Sequence, residues 1–174
     1  TDTDFFRSAG DFRGRKGSLY EGGVRVPCIV RWKGTISPGG ESTRVTGFED
    51  WLPTLLDLIG AHDAIPPGLD GVSFAATLLG QEQPPRPFLY REIPEYGGQQ
   101  SVRVGDWKAV RQRLNPGPKA PLNPGPVELY DLRRDPAEST DVSASHPERV
   151  AELTNLLKQQ HDRSDIFPMR ALDE

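Results

Sequence analysis

The segment GRKGSLYEGGVRVPCIVRW, residues 14–32, decides how the chain enters its fold. Its first part continues a stretch, residues 1–23, that holds five glycines and three arginines without a sustained period and reads as loop. Its second part, VRVPCIVRW from Val24 to Trp32, is β-rich with apolar neighbours, the pattern of a strand covered on both faces. Pro27 cannot donate to a ladder, so it suits the start of that strand or a sheet edge. Cys28 lies inside the apolar run VPCIV, which predicts a buried, inert thiol.

Downstream, KGTISPGGES is a turn-rich connector and TRVTGF a short second strand. DWLPTLLDLIGA predicts a helix. Asp50 can cap it, Pro53 fits its first turn, Gly60 closes it, and Leu52, Leu55, Leu56 and Ile59 form one face. VSFAATLLG is a second short helix ending at Gly80. QEQPPRP, residues 81–87, carries three prolines and reads as a linker. Beyond it the texture changes to strands. FLYREI is one. SVRV and WKAVRQRL form a hairpin about Gly105-Asp106, and VELYDL follows a Pro/Gly loop that repeats LNPGP. Ser145 and Glu148 have capping-box spacing, with Pro147 in the first turn. Val150, Leu153, Leu156 and Leu157 then make one apolar stripe through HPERVAELTNLLKQQHDRS. The tail IFPMRALDE reads as loose. A small sheet with a helix on one face buries its apolar side well.

The 174 residues suffice for one domain with a core or for two small ones. The 18 Gly and 17 Pro are about a fifth of the chain, so loops are abundant and long helices few. Net charge is −4 with both signs interspersed, and no basic stripe argues for nucleic acid. One cysteine excludes an internal disulfide and a Cys-rich metal site. No run approaches the ~20 apolar residues of a membrane helix. TDTDFFRSAG is polar and acidic, which does not read as a signal peptide, and without a Met the chain reads as a fragment or a processed product.

His62, His146 and His161 are scattered and read as surface positions. Asp2 and Asp4 resemble an oxygen-ligand spacing, but no glycine and glutamate follow at calcium-loop positions. No nucleophile elbow, P-loop or dinucleotide fingerprint is present. Lys16 is the exception. Gly14, Gly17, Gly22 and Gly23 surround it, allowing close backbone approach and positive φ, and Arg13 and Arg15 make the loop locally basic. An ammonium held in such a loop can serve an oxyanion such as sulfate or phosphate. A solvated basic loop has the same composition, and from the residues alone both readings stand.

FRGRKGSLYEGGVRVPCIVRWKGTISPGG resembles the second signature of the type I sulfatases, the arylsulfatase family within the alkaline-phosphatase-like superfamily. Gly14, Lys16, Tyr20, Glu21, Gly22, Gly23, Arg25, Val26, Pro27, Trp32, Gly34, Pro38 and Gly39 fit that signature. DWLPTLLDLIGA, LDGVSFAATLLG, VRVGDWKAV and ELYDLRRDPAEST resemble four further family segments in the same order. The resemblance implies the C-terminal portion of a longer sulfatase, α/β overall and α+β for this fragment. Residues 1–80 would end the large α/β domain, and 81–174 would form a small antiparallel sheet with a C-terminal helix. It implies hydrolysis of sulfate esters, with calcium and a formylglycine supplied by the parent enzyme and no cofactor bound by this fragment alone, which is expected to be inactive. Lys16 matches the family's active-site lysine. Cys28 lacks the context of a formylglycine precursor, and Glu21, Arg25 and Trp32 read as structural. REIPEYGGQQSVRVG resembles a substrate-side segment, although Arg91 and Pro94 replace the family's tryptophan and histidine. Tyr96, Gln99 and Gln100, with Arg13, are the candidate substrate contacts. The expected partner is a sulfated small molecule or glycan, in a periplasmic or secreted setting. A homodimer, or association with the missing N-terminal part, would cover the edge of the strand at Val24–Trp32. A related phosphoesterase or phosphonate hydrolase, and a non-catalytic glycan-binding or interaction module, are the alternatives.

Overall fold

Val104 faces Trp107 across a two-residue turn at Gly105 and Asp106. Gly105 takes a φ of +57°, and a positive φ at the first central position is what a tight hairpin asks of glycine. This hairpin is the centre of the computed structural model, which describes residues 5–174. Asp2 and Asp4 lie outside the described residues.

The described chain forms two compact units, one of residues 5–26 with Tyr90–Glu174 and one of Pro27–Leu89. In chain order the helices are α1 (Glu21–Val24), α2 (Trp51–Leu58), α3 (Ala75–Leu78), α4 (Pro147–Gln160) and α5 (Arg170–Asp173). The strands are β1 (Leu89–Ile93), β2 (Gln99–Val104), β3 (Trp107–Gln112) and β4 (Val127–Asp131). They form one sheet in the order β1-β2-β3-β4, with β2/β3 and β3/β4 antiparallel. The expected small sheet and C-terminal helix are therefore both present.

Strand alternation gives this sheet two unlike faces. One carries Val102, Ala109 and Leu129, all fully buried. Across it lies α4, packed on β2, β3 and β4 through its buried Leu153 and Leu157. The other face carries Gln99, Ser101, Arg103, Lys108, Val110, Gln112, Glu128 and Tyr130, brought into line by the register Gln99↔Gln112, Ser101↔Val110, Arg103↔Lys108, Lys108↔Tyr130 and Val110↔Glu128. Residues 12–24 cover that polar face, with Tyr20 packed among Val110, Tyr130 and Leu132.

In the Pro27–Leu89 unit, Asp50 joins three segments. Its carboxylate accepts from Gly47 N at 2.8 Å and Val72 N at 2.7 Å and pairs with the Arg86 guanidinium. Thr54 Oγ1 donates to Asp50 O and accepts from Phe74 N, and Trp51 meets the Phe74 ring edge-on at 5.0 Å.

Several expectations are corrected. Val24–Trp32 is not a strand. Val24 ends α1, residues 25–32 have no ladder, and Ile29 is 92% exposed. A β-rich run becomes a strand only where another backbone hydrogen-bonds to it, and the described residues offer none. Cys28 is consequently exposed rather than buried. TRVTGF is likewise without a ladder. α2 turns Pro53 and Thr54 inward and leaves Leu52, Leu55 and Ile59 about half exposed or more, because Asp50, Thr54 and Trp51 take the contacts with residues 72–74. The α4 start has His146 at its cap without a side-chain cap, and residues 143–145 form a 3-10 turn in place of the capping box. The tail is not loose, since Met169 is fully buried, α5 follows, and Ala171 N donates to Leu114 O. QEQPPRP is tied to its own unit by Arg86 with Glu49 and Asp50, by Gln83 with Thr77 and Ser73, and by Arg44 with Pro84 O.

Candidate functional site

Lys16 lies in a turn closed by Ser18 N donating to Arg15 O at 2.9 Å. Gly17, third in that turn, has φ +90°, a conformation in which L side chains are strained. The Tyr96 ring also lies over this glycine, where a Cβ would stand 2.7 Å from it and push the exposed ring aside. Gly22 and Gly23 serve a different purpose from the positive φ expected of them. Their φ values are ordinary, and it is close packing that excludes a side chain. A Cβ on Gly22 would meet Gly14 O at 2.5 Å and Arg13 O at 2.6 Å, and one on Gly23 would meet Arg15 O at 2.6 Å and overlap Ser18 O. Gly22 N also donates to Arg13 O at 2.8 Å. The loop is thus folded back on its own carbonyls.

The Lys16 side chain is exposed and makes no ion pair or side-chain hydrogen bond with a described residue. Beside it, Gln99 is 5% exposed and bridges the loop. Its Nε2 donates to Gly17 O at 2.8 Å and its Oε1 accepts from Leu19 N at 3.1 Å.

Beneath the loop sits a buried charge network. Lys108 Nζ lies 2.9 Å from Glu21 Oε1 and 2.9 Å from Glu138 Oε1, and all three residues are at most 5% exposed. Arg103 stands 3.7 Å from Glu21. Glu138 Oε2 accepts from Glu21 N at 2.5 Å, while Oε1 has the ammonium as its partner without an aligned hydrogen bond. Burial pushes the Glu138 carboxyl above the usual carboxylate range, against the pull of Lys108. Next to this network, Tyr20 and Tyr130 hydroxyls donate to Glu128 Oε2 at 2.5 and 2.6 Å. Burial first and Glu128 second raise both phenols well above their ordinary range, so they remain neutral donors.

The structure distributes the sequence-derived candidates unevenly. Lys16, Tyr96 and Gln99 come together. Arg13 is engaged elsewhere, donating to Tyr130 Oη at 2.7 Å and Glu138 O at 3.1 Å with its guanidinium 3.9 Å above the Tyr20 ring. Gln100 is not a rim residue. It points to the opposite sheet face, is 2% exposed, and donates to Tyr90 Oη at 2.9 Å. On that face His161 is held between Glu92 (2.9 Å) and Asp173 (3.0 Å), not free on the surface. Burial alone would lower the imidazole, but the two carboxylate hydrogen bonds outweigh it and raise its affinity for a proton. Sequence reading missed Lys108, Glu128, Tyr130 and Glu138. The available signal was a lysine at an alternating position of a hairpin strand, where a charge turned into a sheet face needs a buried partner. Among the described residues no group of three or more His, Cys, Asp and Glu could hold a metal ion, and no helix is long and apolar enough to cross a membrane.

Three sequence segments thus meet under Lys16: YEGG through Tyr20 and Glu21, GDWK through Lys108, and ELYDLRRDPAE through Glu128, Tyr130 and Glu138. Residues 12–165 match the family model described as N-sulphoglucosamine sulphohydrolase, C-terminal. The chain is 32% identical to an N-acetylgalactosamine-6-O-sulfatase of Bacteroides thetaiotaomicron over 88% of its own length and 30% of that protein. It is 34% identical to human arylsulfatase A (Homo sapiens), covering 91% of this chain and 35% of that one. It is 30% identical to choline-sulfatase of Rhizobium meliloti, covering 97% and 32%. Among solved structures, a sulfatase of Bacteroides thetaiotaomicron from work on glycosaminoglycan metabolism superposes with a TM-score of 0.69 at 28% identity, over 91% of this chain and 35% of that one. A sulfatase of Pseudoalteromonas sp. gives a TM-score of 0.63 at 27% identity, over 85% and 32%. The chain therefore spans about a third of the length of these relatives.

Proposed function

The chain belongs to the sulfatase family, and on that premise we propose that it is the C-terminal part of an enzyme hydrolysing sulfate esters, in which Lys16 contacts the sulfate. The observation that carries this reading is the contrast between Lys16 and its surroundings. Arg13 and Lys108 are committed to aromatic and carboxylate partners, whereas Lys16 is exposed and unpaired among the described residues on a turn fixed by Gly17 and Gln99. A cation presented without a partner among the described residues is available to an anion.

An ammonium at that turn would bind a sulfate oxygen and offset the negative charge that grows on the transferring group and leaving oxygen. Because the turn is already fixed, little reorganisation accompanies the reaction. The family resemblance implies calcium and a formylglycine in the whole enzyme, which would polarise the sulfate and supply the attacking oxygen. Among the described residues no group fits a metal ion, and Cys28 lacks the C-x-P-x-R context, so neither part is assigned to a described residue of this chain. The substrate class proposed is a sulfated small molecule or glycan.

In the full-length enzyme, Lys16→Ala is expected to lower turnover of an aryl sulfate by roughly 10²-fold or more. Thermal stability should hardly change, because Lys16 has no described contact to lose. Undiminished turnover would overturn the assignment.

A further inference from the structure

Gln99 offers a more specific role than the rim contact suggested by its sequence position. Its side chain is 5% exposed, and both ends of the amide are engaged with the Lys16 loop, Nε2 with Gly17 O at 2.8 Å and Oε1 with Leu19 N at 3.1 Å. These two groups flank Ser18, which closes the turn by donating to Arg15 O. The amide ties residues 17–19 to the start of β2 from the polar face of the sheet. Each end of the amide is already engaged once with the loop, and a side chain only 5% exposed presents little surface to a substrate. The neighbouring Tyr96 ring occupies the space over Gly17, so the turn is held by a hydrogen-bonded clamp on one side and a ring on the other.

We propose that Gln99 is a positioning residue that fixes the Lys16 turn, and that it acts on catalysis only through Lys16. This rests on the reading of Lys16 as the sulfate ligand. The chemistry demands an amide specifically, because one end must donate to a carbonyl while the other accepts from an N–H. Methionine supplies neither. A carboxylate supplies only the acceptor, whereas a protonated carboxyl supplies both, its O–H for Gly17 O and its C=O for Leu19 N.

Hydrogen exchange at the Leu19 amide in the 174-residue chain tests the clamp directly. Gln99→Met should lower Leu19 protection roughly fivefold or more, while the Val102 and Val110 amides keep theirs and report that the sheet is intact. Gln99→Glu keeps an acceptor for Leu19 N but sets its second carboxylate oxygen against Gly17 O at neutral pH, a repulsion that should push the turn open and lower Leu19 protection until acidification restores the donor, relative to wild type at the same pH. A side chain that merely fills space gives no such recovery. In the full-length enzyme, Gln99→Met should lower kcat roughly 10–100-fold with little change in KM, and adding Lys16→Ala should bring no further loss. Unchanged Leu19 protection in Gln99→Met overturns the clamp. Lost protection with unchanged kcat, where Lys16→Ala is impaired, overturns the positioning role. If Lys16→Ala itself leaves turnover intact, it is the reading of Lys16 that fails, and the clamp is still decided by the Leu19 amide.

Discussion

Replacing Lys108 by methionine keeps the length of the side chain and removes the cation between Glu21 and Glu138. Both carboxylates lie 2.9 Å from Lys108 Nζ, and Glu138 is fully buried. At an effective dielectric near 20, a unit pair at that separation attracts by about 6 kcal/mol. Desolvation of all three groups offsets much of this, so the useful figure is the loss when one partner of a buried pair is removed, about 3–5 kcal/mol. The pH dependence gives a sharper signature. Glu138 already has a raised affinity for protons from burial, with Lys108 opposing that rise. Without Lys108 the rise increases. A carboxyl raised in the folded state contributes stability that is complete below its unfolded pKa, about 4.3, and lost as pH rises through its folded value. Lys108→Met should therefore be least destabilised near pH 4 and most destabilised at neutral pH. Adding Glu138→Gln should recover part of the neutral-pH loss. Urea unfolding of the variants at pH 4 and pH 7.5 measures this. A Lys108→Met cost below about 1 kcal/mol, or one independent of pH, would refute the argument that the network under the loop is held by this cation.

Gly23→Ala should destabilise by about 1–3 kcal/mol, because the added Cβ meets the backbone carbonyls of Arg15 and Ser18. Gly40→Ala, whose nearest neighbour would be Ser37 O at 3.9 Å, should be neutral or slightly stabilising in the same thermal melts. His161 is raised by Glu92 and Asp173, so its contribution is complete below its unfolded pKa, about 6.5, and fades as pH rises through the higher folded value. His161→Ala should then cost about 2 kcal/mol at pH 5.5 and less at pH 8.5, read by denaturant unfolding, and an equal cost at both pH values would contradict this. Cys28, exposed on a segment without a ladder, should react with a disulfide reagent in the native chain within roughly threefold of its rate in urea. Strong native protection would restore the buried strand expected from its apolar neighbours.

The sequence alone determined the elements whose causes are local. Gly105-Asp106 between two alternating runs specifies the hairpin, and Leu153 and Leu157 mark the inner side of α4. Five ordered segments identify the family, and the resemblance they carry singles out Lys16 as the residue to test. Those signals lie within a few residues of one another, so a linear reading captures them. The tertiary structure decided what each face meets. Lys108 and Glu21 are 87 residues apart, and Glu21 and Glu138 are 117 apart. Alternation shows that Lys108, Val110 and Gln112 share a face, but not that the loop carrying Tyr20 and Glu21 covers it. The same limit explains why apolar Val24–Trp32 and the leucines of α2 were expected inside and are found exposed. Hydrophobic pattern states a capacity for burial, and whether it is used depends on whether another segment arrives to cover it.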